Sequence, residues 1–160
     1  MKHVVIVAPL EPLIVGVSFA VPKFPLHVTL VPPFLVECDW PELDAVVEAV
    51  SHRTDRLLAD VIGHEGFGPD GSIKVALIRA TDSVRNAHSQ LVKALIPLGW
   101  SAQEAHYNGN GFRPHITGND ERQALLGERF ILSEIAIIEM LDPPTVRATY
   151  ELSGEGETKK

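Results

Sequence analysis

The sequence predicts an α+β fold built on largely antiparallel sheet, and three observations carry that expectation. Short β-branched apolar runs follow one another without a regular helix between each pair, which argues against a doubly wound parallel sheet. Only two stretches show sustained helical periodicity. Two strand-like segments, residues 26–30 (LHVTL) and 114–118 (PHITG), repeat a His-x-Thr pattern, one in each half of the chain. Side chains at i and i+2 of a strand share a face, and the one between points the other way. Val28 and Ile116 are therefore expected to face a core. His27 with Thr29, and His115 with Thr117, would stand on the opposite face.

Residues 3–8 (HVVIVA) read as a buried strand. Residues 9–25 hold four of the twelve prolines and Gly16, so a loop is expected there, with a short edge strand at 14–19. Residues 26–31 form the first motif strand, ended by Pro32 and Pro33. Asp39 before Trp40-Pro41-Glu42 has the form of a capping box. Trp40, Leu43, Val46, Val47 and Val50 follow at helical spacing, which predicts an amphipathic helix to residue 54.

Residues 57–64 and 73–80 (IKVALIRA) read as strands around a turn cluster at 66–71 (GFGPDG). A second helix is expected over 82–96, with Val84, Ala87, Leu91, Ala94, Leu95 and Leu98 on one side and Pro97 and Gly99 closing it. Residues 100–112 are a polar loop, and 113–117 the second motif strand. A short helix over 120–126 stops at Gly127, and 130–141 and 146–152 read as strands joined through Asp142-Pro143-Pro144. Residues 1–152 are expected to form a single domain, and 153–160 a flexible polar tail.

Two imidazoles and two hydroxyls suit proton transfer around a phosphate. A neutral imidazole acts as general base on water or a ribose hydroxyl, and a protonated one as general acid towards the leaving oxygen. Thr29 and Thr117 would hold the non-bridging oxygens. One His cannot easily serve both ends of an in-line displacement, so two are needed; the pattern does not say which is base. A third copy, His52-Arg53-Thr54, is set aside, because i and i+2 do not share a face on a helix and its middle residue is charged.

Other residues are weaker candidates. Arg113 is a candidate phosphate contact, and Phe34, Phe112 and Trp100 are candidates for stacking on a base. Lys74 fits a solvated edge better than a phosphate ligand. His3, His64, His88 and His106 lack metal-ligand spacing, and no His-Glu-x-x-His or cysteine pair occurs, so no metal or other cofactor is expected. Gly66-x-Gly68 lacks the Lys-Ser/Thr of a phosphate loop. Cys38, the one cysteine, reads as a small apolar filler and fits a reducing compartment. The N-terminus lacks the features of a signal peptide, and no apolar run approaches the roughly 20 residues that span a bilayer. A cytoplasmic protein without a membrane association is expected. The formal net charge of −7 disfavours a long nucleic acid duplex.

The phrases HVTL and FRPHIT, the middle section from 57 to 99, and the closing IAIIEML…TVRATYEL with its late Tyr150 together resemble the two-histidine (2H) phosphoesterases. That superfamily includes 2′-5′ RNA ligase-like proteins and RNA cyclic phosphodiesterases. The resemblance implies a bilobal, pseudo-twofold fold, with two mainly antiparallel β-sheets lining a central cleft and helices packed outside. It implies His27, Thr29, His115 and Thr117 as the catalytic set, and a late tyrosine, Tyr150, as a substrate contact. It also implies metal-independent cleavage of a 2′,3′-cyclic phosphate, a 2′-5′ linkage or a cyclic oligonucleotide, in either the hydrolytic or the ligating direction. The expected partner is a small nucleotide, an oligonucleotide or an RNA end, bound by a monomer. Gly118 after the second motif and Pro32-Pro33 after the first depart from the family pattern and bear on substrate shape. A non-catalytic nucleotide- or RNA-binding module on the same fold is the alternative. A metal-dependent hydrolase would need carboxylate and His clusters that the sequence lacks.

Overall fold

The computed structural model describes residues 1–104 and 107–153; the expected tail beyond 153 and His106 lie outside the described residues. The strands are β1 (Lys2–Pro9), β2 (His27–Val36), β3 (Leu57–Phe67), β4 (Ile73–Ile78), β5 (Ser101–Ala102), β6 (His115–Thr117), β7 (Arg129–Leu132), β8 (Glu134–Glu139) and β9 (Thr145–Glu151). Two α-helices accompany them, α1 (Trp40–His52) and α2 (Asp82–Leu95). The expected capping box forms at α1: Asp39 accepts from the Glu42 amide, and Glu42 accepts from the Asp39 amide. Thr81 caps α2, and Gly99 at φ +85° ends the turn that follows it.

The strand order is β7-β3-β4-β6-β2-β1-β8-β9, antiparallel throughout, with β5 also on β2. Two groups of four strands thus meet at β6 and β2, the two motif strands, where Val28 pairs Ile116. The two expected sheets therefore run into one continuous path. β7 and β8 lie far apart along that path, yet Ser133 alone joins them in the chain. The sheet must curl for both to hold.

Alternation along the strands decides what each face meets. Val4, Ile6 and Ala8 of β1, Val28 and Leu30 of β2 and Ile116 of β6 share a fully buried core with Leu43, Val47 and Val50 of α1 and Leu91 and Leu95 of α2. The in-between residues Val5 and Val7 form a smaller cluster with Ala136, Ile138 and Val146 on the other face. Burial on both faces explains why the first strand reads as a continuous apolar run.

Four expectations are corrected. β2 does not end at Pro32 and Pro33 but continues to Val36. The register against β1 slips between Val4↔Phe34 and Ile6↔Val31, so the prolines sit in a bulge where no ladder N–H is required. Residues 120–126 form no helix. The Asn119 carboxamide oxygen accepts from the Glu121 and Arg122 amides at 2.9 and 2.8 Å, and Glu128 accepts from the Leu125 amide at 2.7 Å. Such local bonds compete with a short helix. The run expected over 130–141 is broken at Ser133 into β7 and β8. The edge strand expected over 14–19 is reduced to one bridge, Ser18↔Thr145.

Candidate functional site

Antiparallel pairing of Val28 with Ile116 sets His27 opposite Thr117 and Thr29 opposite His115. Each imidazole thus stands across from the hydroxyl of the other motif, and the two imidazoles are diagonal neighbours on one face. Backbone positions in that relation lie about 7–8 Å apart. β4 and β1 flank the pair: Leu77 and Val75 neighbour His115 and Thr117, and Val7 and Pro9 neighbour Thr29 and His27.

The same local device orients both rings. His27 Nδ1 donates to the Pro25 carbonyl at 2.8 Å, and His115 Nδ1 donates to the Arg113 carbonyl at 2.8 Å, each two residues back. A carbonyl only accepts, so Nδ1 carries the proton in both rings and Nε2 is left for chemistry. Each ring also meets a phenylalanine edge-on. Phe24 lies 5.3 Å from His27 at 81°, and Phe67 lies 4.7 Å from His115 at 60°.

Burial pushes both imidazoles below the usual histidine value, against the opposing pull of the carbonyl bonds. His115 adds to the depression at His27, and the Arg113 cation adds to it at His115. Both rings are therefore mainly neutral at neutral pH.

A cavity of about 290 Å³ opens on the His115 side, walled by Phe67, Ile73, Tyr107, Phe112 and Arg113. A second of about 230 Å³ opens on the His27 side, over Val5, Val7, Phe24, Ile138 and Met140. Both are bordered by Thr29, Pro33 and Thr117, so they are two halves of one cleft with the motif residues between them. Among the described residues, no three His, Cys, Asp or Glu side chains converge as a metal-ligand set.

The structure brings His27, Thr29, His115, Thr117, Arg113 and Phe112 to this cleft. Arg113 donates to both carboxylate oxygens of Glu65 at 3.0 and 2.9 Å and lies 5.2 Å over the Phe67 ring. Phe112 lines the cleft while stacking on His88 at 4.2 Å. Three substrate candidates, Phe34, Tyr150 and Trp100, do not reach it. Phe34 is fully buried in the main core, because it shares the core-facing side of β2 once the bulge has shifted the register. Tyr150 packs against the same core and donates its hydroxyl to Asp44 of α1, and burial together with Asp44 pushes the phenol far above its usual range. Trp100 also packs on the main core, and Lys74 shares the side of β4 that Ala76 turns to the core.

Phe24 and Phe67, which line the cleft, and Glu65, which holds Arg113 at its rim, were missed by sequence reasoning. Phe67 stands between two glycines in the turn cluster, an exposed place for so large an apolar residue, and that was the available signal. Gly66 beside it is required: a Cβ there would collide with the Gly71 carbonyl oxygen. Phe24 reaches His27 from three residues back, at the end of a short turn, whereas Glu65 reaches Arg113 only through the pairing of β3, β4 and β6.

A family model described as the 2′-5′ RNA ligase superfamily matches residues 18–144. Among solved structures, the chain is similar to TT0787 of Thermus thermophilus (TM-score 0.60, 18% identity, covering 96% of this chain and 99% of that one). It is also similar to Escherichia coli LigT in complex with NADP+ (TM-score 0.58, 15% identity, 95% and 98%). A structure described as a phosphoesterase matches with a TM-score of 0.60 at 14% identity, over 95% and 98% of the two chains. At these identities the likeness concerns the fold. Among curated protein sequences none matches significantly.

Proposed function

Because the chain belongs to the 2′-5′ RNA ligase superfamily, we propose that it is a metal-independent phosphodiesterase in which His27 and His115 act as the general acid–base pair on one phosphodiester. The observation that carries this reading is the matched orientation of the two rings. Both hold Nδ1 on a carbonyl two residues back, and both keep Nε2 for the cleft, opposite the threonine of the other motif.

In the proposed reaction the phosphorus lies between the two Nε2 atoms. One neutral imidazole takes the proton of the attacking water or ribose hydroxyl as its oxygen bonds to phosphorus. The other, protonated, gives its proton to the ribose oxygen whose bond to phosphorus breaks. Thr29 and Thr117 donate to the non-bridging oxygens, where charge builds up. Each acid or base role is worth about 10²–10⁴-fold in rate. The two cavities support a nucleotide-sized substrate, as do the structures of LigT with NADP+, 3′-AMP and ATP. Substrates within reach of this chemistry are 2′,3′-cyclic phosphates, 2′-5′ linkages and cyclic oligonucleotides. No helix among the described residues is long and apolar enough to cross a membrane. We assign the protein to the reducing cytoplasm on its single cysteine.

The test is turnover in EDTA of a panel of 2′,3′-cyclic nucleotides, 2′-5′ oligoadenylate and cyclic di- and trinucleotides. Wild type, His27→Ala and His115→Ala are compared. At least one substrate should be cleaved by wild type, unaffected by chelator, and slowed at least about 10²-fold by either variant. Binding without turnover would replace the enzyme with a nucleotide-binding module. Loss of activity in EDTA would remove the metal-independent mechanism.

A further inference from the structure

We propose that Glu65 tunes the cleft to a diester bearing a single negative charge, with an uncharged group on each side of the phosphate. The proposal rests on the reading of this cleft as the substrate site.

The geometry is two-sided. His115 lines one cavity and His27 the other, and Thr29 and Thr117 border both. A phosphate held by the two hydroxyls therefore has a chamber to either side, and a diester with a group on each oxygen fills both.

The charge is the second observation. Among the described residues, Arg113 is the one Lys or Arg side chain that lines either cavity. Its guanidinium is taken by Glu65 in a two-pronged pair at 3.0 and 2.9 Å, and its flat face lies over Phe67 at 5.2 Å. That fork-to-fork geometry is the strong form of the interaction. Arg113 in turn holds the Glu65 carboxyl below the usual carboxylate range, so the pair stays charged and self-compensated across the working pH. Among the described residues, neither chamber then presents an uncompensated Lys or Arg, and burial keeps both imidazoles mainly neutral.

A diester's single charge is met by the threonine hydroxyls and by the imidazole that is protonated for the reaction. A further phosphate in the His115 chamber would meet mainly apolar and aromatic walls and, at the rim, an Arg113 guanidinium whose charge Glu65 already balances from outside the cavity lining. Glu65 thus acts through Arg113, as a specificity-determining residue and not a catalytic one.

The measurement is binding by titration calorimetry in a His27→Ala background, which removes turnover. The ligands are a 2′-5′-linked adenylyl dinucleotide and the same compound with a terminal phosphate at its 5′ or 3′ end. The extra phosphate at one end should weaken binding about tenfold at low ionic strength. Glu65→Gln keeps the side-chain shape on an exposed site and should abolish most of that penalty while changing the parent compound's Kd little. High salt should shrink the penalty in the Glu65 protein. Equal or tighter binding of both phosphorylated forms overturns the proposal. So does a penalty that Glu65→Gln leaves intact, or the absence of binding by all three ligands. The acid–base reading fails separately, through turnover that survives loss of His27 or His115.

Discussion

His27 and His115 each give one ring nitrogen to a carbonyl and keep the other for the cleft, and burial lowers the affinity of both for protons. A reaction that needs one ring neutral and one protonated follows the two apparent pKa values of the pair. With both depressed below about 6.5, the bell-shaped profile of kcat/KM should peak on the acid side of that value and fall through neutral pH. A plateau centred near pH 8 would contradict the assignment. His88 shows the same residue type in a structural role. It is 2% exposed, donates from Nδ1 to the Leu30 carbonyl at 2.7 Å and accepts at Nε2 from the Gly109 amide at 3.0 Å. An imidazole that must accept has to be neutral, and burial lowers its pKa accordingly. A group whose folded pKa lies below its unfolded one stabilises above the unfolded value, near 6.5, and loses that contribution as pH falls through the folded value. Urea unfolding should therefore show stability declining as pH drops from about 6.5. His88→Leu should cost about 1–3 kcal/mol at pH 7 and flatten that decline.

At the scale of elements, α1 and β2 illustrate two ways that local sequence sets structure. The Asp39–Glu42 box was legible because it is satisfied within four residues. Asp39→Ala should lower the unfolding free energy by about 0.5–2 kcal/mol and leave kcat unchanged, since α1 lies on the core side, away from the cleft. A loss of activity at unchanged stability would count against that separation. β2 was half legible. Its motif residues alternate as expected, but the prolines stop no strand, because a bulge opposite β1 removes the need for their missing N–H groups. The bulge also turns Phe34 into the core, which is why it cannot stack on a ligand. The helix expected at 120–126 failed through competition: the Leu125 amide, which a helix would direct to the carbonyl four residues back, goes to the Glu128 carboxylate, and the Arg122 carbonyl accepts from the Asn119 amide.

For the whole molecule, the seam between β2 and β6 is the decisive contact. One residue pair, Val28 and Ile116, joins the two groups of four strands and fixes which hydroxyl faces which imidazole. Ile116 is fully buried there. Ile116→Ala should cost about 2–5 kcal/mol and should still unfold in one cooperative transition, because both lobes share the sheet and its core. Two separate transitions would show lobes that fold independently.

The α+β class, both helices with the α1 cap, and the His-x-Thr faces were all readable along the chain. Each of these depends on periodicities of two or about 3.6 residues, or on bonds within a turn, and so is written in neighbouring residues. Folding alone decided the cross-pairing of the motifs, the Phe67 edge on His115, and the capture of Arg113 by Glu65. It alone also withdrew Phe34 and Tyr150 from the cleft. Those outcomes depend on strand register, where a shift of one residue reverses every side chain and no nearby residue records the choice.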